Sequence, residues 1–108
     1  MAKYERKLEG DFDNVLGKIE DGMLSGSFTA SLEESSDFIS GEARCSVRVF
    51  ERYSFLGANR VSLSVTLFQN NNEIFLSAIS SGGSQAMFFK LNTMGEEAFL
   101  QKLINIIE

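Results

Sequence analysis

"VSLSVTLFQNNNEIFLSAIS", residues 61 to 80, is the stretch on which the fold turns. Val61, Leu63, Val65 and Leu67 alternate with Ser62, Ser64 and Thr66, the period of a strand that buries one face only. "QNNNE", 69 to 73, is short and rich in asparagine, so it reads as a hairpin turn. "EIFLSAIS", 73 to 80, is then the next strand, and strands joined so tightly must be antiparallel neighbours.

The same period extends towards the N-terminus. Ala43, Cys45, Val47, Val49 and Tyr53 alternate with Arg44, Ser46, Arg48 and Arg52, which predicts a strand burying the apolar set. "FLGANR", 55 to 60, reads as the turn that follows it. Phe28, Ala30 and Leu32 against Thr29, Ser31 and Glu33 predict a further strand, closed by an acidic loop, "EESSD", 33 to 37. Residues 3 to 9, "KYERKLE", form a charged strand suited to an edge, where charges discourage pairing with another chain.

Two segments change to the helical period. After Asp11, a good N-cap, Phe12, Val15, Leu16, Ile19 and Met23 make one apolar stripe, with Asp13, Lys18, Glu20 and Asp21 turned away; Gly22 or Gly26 would end it. Near the C-terminus, Thr93 and Glu96 have capping-box spacing and precede an apolar face of Phe99, Leu100, Leu103, Ile104, Ile106 and Ile107. "QAMFFKLN", 85 to 92, fits either a last strand or a short helix. The predicted fold is α+β: a two-layer antiparallel β-meander of about five to six strands, with an N-terminal and a C-terminal helix on one face, in the order β-α-β-β-β-β-β-α.

The chain has 108 residues, enough for one core, and residues 1–108 read as a single domain. No apolar run approaches the roughly 20 residues of a membrane-spanning helix, and "MAKYERKLEG" has no signal-peptide core, so a cytoplasmic location is expected. The lone cysteine, Cys45, fits a reducing compartment. Net charge is −5, and the first 42 residues hold ten acids against four bases. An acidic chain does not suit nucleic acid, whose binding depends on neutralising phosphates.

The candidate sites divide by chemistry. Gly82-Gly83-Ser84-Gln85-Ala86 resembles a nucleophile elbow, but a serine needs a base and the chain has no histidine. A tight Gly-rich turn is the expected reading, and no catalytic residue is assigned. If Ser84 caps a helix, amides from Gly83 to Gln85 would point at an anion, so Gly82, Gly83 and Ser84 are candidate binding residues. With no histidine and one cysteine, neither a metal centre nor a cofactor is expected. Arg44, Arg48 and Arg52 lie four apart on one strand and therefore project from one face, where they could bind phosphate or carboxylate; Arg60 on the next strand could join them. Phe50, Phe68 and Phe75 break the alternation and are expected on that same uncovered face as an interface, unless a bulge near Phe50 turns the rings into the core.

The residues "SSGGSQAMFFKLNTMGEEAFLQKL", 80 to 103, with the opening helix, resemble a family of small bacterial cytoplasmic proteins described as an uncharacterised domain of unknown function. That resemblance carries no catalytic or binding residue. The order of elements is also similar to a shortened helix-grip fold, the curved sheet and C-terminal helix of Bet v 1-like and START-like lipid-binding proteins. Taken together, these readings predict a non-enzymatic domain that acts by association, as a homodimer through the aromatic side of its sheet. The alternative is a small apolar-ligand carrier with a pocket between sheet and C-terminal helix.

Overall fold

The structure, a computed structural model, describes residues 1–26, 29–54, 59–82 and 89–108. Its elements are β1 (Ala2–Leu8), α1 (Phe12–Leu24), β2 (Ser31–Ser40), β3 (Ala43–Ser54), β4 (Asn59–Asn70), β5 (Glu73–Gly82) and α2 (Phe89–Ile107). The five strands form one antiparallel sheet in the order β1-β5-β4-β3-β2. β2 to β5 are a meander, and α1 carries the chain from β1 at one edge to β2 at the other. The expected α+β arrangement is therefore present, with five strands.

Local chemistry accounts for the first helix. Asp11 sits in extended backbone and accepts from the Asn14 amide at 3.0 Å, satisfying a free donor at the start of α1. Phe12, Leu16, Ile19 and Met23 of the predicted stripe are buried. Gly26, with φ +74°, supplies the left-handed residue just beyond the end. Gly22 is inside α1 and has a different use: a Cβ there would lie 2.6 Å from the Cδ1 of Ile106, so its lack of a side chain lets α2 approach.

Between sheet and helices, Phe50, Val61, Leu63, Val65, Leu67, Ile74, Leu76 and Ala78 meet Ile19, Met23, Phe99 and Leu103. Each large side chain so buried contributes about 1.5–3 kcal/mol. This inner face follows strictly from register: Phe50 pairs with Leu63, and Leu63 with Ser80.

Four expectations change. "EESSD" is no loop but the middle of β2, an edge strand whose few apolar residues hid its period. β3 is turned over: Ser46, Arg48 and Phe50 are buried on the inner face, while Cys45, Val47 and Val49 lie on the open one. Phe50 is accordingly a core residue, fully buried, and not an interface residue; the bulge is in β2, between Leu32 and Glu34, opposite Phe50 and Val49. The C-terminal helix does not start at Thr93: α2 begins at Phe89, so Thr93 is a turn inside it and does not hold the N-cap position that a capping box requires. Residues 89–91 thus belong to a helix, whereas 85–88 and most of "FLGANR" lie outside the described residues.

Candidate functional site

Two surfaces carry chemistry. The first is the row of arginines on the inner face of β3, and its geometry follows from the helix above it. α1 presents Asp13 and Glu20, seven residues apart, to Arg44 and Arg48, four apart on the strand; about 10 Å of helix matches about 13 Å of strand. Arg44 grips Asp13 with both terminal nitrogens, at 3.3 and 2.9 Å, and lies 4.0 Å from the Phe12 ring centroid. Arg48 is buried and donates to Glu20 at 2.6 Å, Asp37 at 3.0 Å, and the carbonyls of Val47 and Ser36. Ser46 also donates to Asp37, at 2.6 Å. That hydroxyl first, and then the Arg48 guanidinium, hold the Asp37 carboxyl below its ordinary value.

Arg52 differs. It is half-buried and its guanidinium lies 4.6 Å from the Phe99 ring centroid, and among the described residues no carboxylate bonds it. Burial pushes its pKa down. Beside it is Lys102 of α2, whose ammonium donates to the carbonyls of Met23 and Ser25, at 3.1 and 2.8 Å, at the C-terminal end of α1. Burial and then the charge of Arg52 lower the Lys102 pKa. Arg44, Arg48 and Arg52 do share a face, as expected, but it is the covered face, and the first two are paired with acids of the chain. Arg60 does not join them: it lies on the opposite face, paired with Glu51 at 2.9 Å and Glu33 at 3.6 Å.

The second surface is the open face. Lys7, Phe75, Phe68, Cys45 and Phe38 are successive cross-strand partners and form one row across the whole sheet. Lys3, Ile79, Ser64, Val49 and Glu34 form a parallel row. Phe38, Phe68, Phe75 and Ile79 are 65%, 38%, 42% and 41% exposed, more than isolated surface rings require. Phe68 and Phe75, with Thr66 and Lys7, border a shallow depression of about 490 Å³. The sequence reading placed Phe68 and Phe75 here but missed Phe38, hidden behind the supposed acidic loop, and Lys102, whose role depends on a helix 79 residues away.

At the end of β5 the Gly82 amide donates to Glu96 at 3.0 Å, and Glu96, almost fully buried in α2, also accepts from the Met1 ammonium at 2.9 Å. That amide is therefore occupied by a carboxylate of the chain itself. Gly83 and Ser84, the rest of the suggested anion loop, lie outside the described residues.

Among the described residues no helix is long and apolar enough to cross a membrane, and no three carboxylates or thiols are grouped as metal ligands. The chain matches no curated protein and no solved structure. A family model does match, over residues 1–108, and the chain belongs to that family, described as a family of unknown function (DUF6054).

Proposed function

We propose that the protein acts by association, two copies packing the open faces of their sheets together. The observation that carries this reading is the Phe38–Cys45–Phe68–Phe75 row on a face that neither helix covers. A two-fold axis along β4 makes one of the two rows self-complementary in charge, laying Lys3 over Glu34 of the second copy and Ile79 over Val49; in the other row it lays Phe68 over Phe68, Phe75 over Cys45 and Lys7 over Phe38 at the rim. Size is adequate: five strands about 4.8 Å apart and a 12-residue β4 give a face on the order of 900 Å², against about 800 Å² per partner in a standard interface.

The apolar-carrier reading has less to rest on. It needs room between sheet and α2, where Phe50, Leu63, Phe99 and Leu103 leave no exposed surface.

Light scattering coupled to gel filtration tests the association. A dimer at tens of micromolar, reduced to monomer by Phe68→Asp, is the expected result. A wild-type protein that stays monomeric at millimolar concentration refutes it.

A further inference from the structure

The arginine ladder has a third place that no acid among the described residues fills. Asp13 answers Arg44 and Glu20 answers Arg48, at a spacing of seven residues on α1. Seven residues beyond Glu20 the sequence has Ser27, and α1 has already ended at Leu24. Arg52 occupies the third place on β3 and meets no acid among the described residues. Its neighbour is a second cation: Lys102 stands three residues along α2 from Phe99, the ring against Arg52, and is fixed by the two carbonyls at the end of α1.

An ammonium has three donors, and Lys102 commits two of them to Met23 and Ser25, leaving one. A guanidinium has five in a planar fork, and those of Arg52 have no hydrogen-bond acceptor among the described residues. The Phe99 ring, 4.6 Å from the guanidinium, partly shields that fork from water. A half-buried guanidinium next to a second cation is costly when unpaired, and an anion bonded to both would remove that cost. Arg6, Arg44, Arg48 and Arg60 all have carboxylate partners, so this is a property of the place and not of arginine on this sheet.

We propose that Arg52 and Lys102 form a binding site for a phosphate group, Arg52 donating a pair of hydrogen bonds to two of its oxygens and Lys102 its remaining proton to a third. Phosphate is favoured over a carboxylate because it offers a third acceptor and a second charge to match the two cations. The site is on the covered face of the sheet and does not depend on the association proposed for the open one.

Inorganic phosphate and methyl phosphate, titrated into the intact protein at constant ionic strength, are the probes. Backbone amide spectra are expected to shift saturably at Arg52, Tyr53 and Lys102, with sodium chloride producing no such saturation. The relative affinity of the two probes tells whether the occupant is the free anion or an ester. Arg52→Gln and Lys102→Met should each weaken binding roughly tenfold or more, with amide shifts elsewhere unchanged. Arg44→Gln, which removes an arginine already held by Asp13, should leave the affinity as it is. A wild-type response that is linear in phosphate, or that chloride reproduces, overturns the proposal. So does undiminished affinity in Arg52→Gln and Lys102→Met.

Discussion

Arg48 and Arg52 are four residues, about 13 Å, apart along the same strand face and differ in almost everything else. Arg48 serves four acceptors, two of them carboxylates, so Arg48→Met strands Glu20 and Asp37 without a cation. The expected loss is about 2–3 kcal/mol of unfolding free energy, below the range for a wholly buried pair because both acids keep some water. Arg52→Met removes a cation that has no acid among the described residues, so it should change stability by less than about 0.5 kcal/mol or raise it. Urea denaturation of the two variants decides between these environments. Asp37 adds a pH dependence. Its folded pKa lies below the ordinary 3.8, so the unfolded chain binds the proton more readily. The stability that Asp37 contributes is complete above 3.8 and is lost as pH falls through the folded value. Asp37→Asn should therefore flatten the acid limb of a stability–pH curve measured below pH 4.

At the scale of elements, the two glycines inside α1 should respond oppositely to substitution. Nothing lies within 4 Å of a Cβ at Gly17, so Gly17→Ala gains helix propensity, about 0.5–1 kcal/mol. Gly22→Val pushes into Ile106 and should cost about 1–3 kcal/mol by separating the helices. Thermal unfolding of both variants reads the difference. Hydrogen exchange should likewise rank the strands: β4 and β5, under α2 and hydrogen-bonded on both sides, exchange slowest, and β2, an edge with almost every residue exposed or half-exposed, fastest. Both helices, β1 as an edge, the alternation of β4 and the place of β5 as the next strand were legible in the sequence, because each has a dominant apolar period or run. β3 was not, because small apolar residues alternate there with arginines, and hydropathy alone favours burying the wrong set. The deciding signal was relational: acids seven apart on α1 facing arginines four apart on β3, with Phe50 in phase with the arginines. No single-strand pattern contains that information. Phe38 was missed for a similar reason, since an acidic edge strand reads as a loop.

For the whole molecule, the two sheet faces follow different rules. The inner face is closed by apolar packing and, at Arg44 and Arg48, by charges paired within the chain, and the open face presents aromatic rings between the lysines of β1 and Glu34 and Phe38 of β2. Association through that face makes stability depend on protein concentration. The midpoint of thermal unfolding should rise over a hundredfold increase in wild-type concentration, and should be constant for Phe68→Asp. The fold class could be read from the sequence because it depends on periods; the open face could be read only in part, because it depends on which strands α1 and α2 leave uncovered. The pairing of β1 with β5 has a further consequence, for biosynthesis. A chain made from its N-terminus produces β1 first and its partner last, so β1 must wait as an unpaired strand while some seventy residues are added. Lys3, Glu5, Arg6 and Lys7 give that strand the charged character that discourages pairing with a neighbouring chain in that interval. On this view the charges of β1 protect the nascent protein more than they stabilise the finished one.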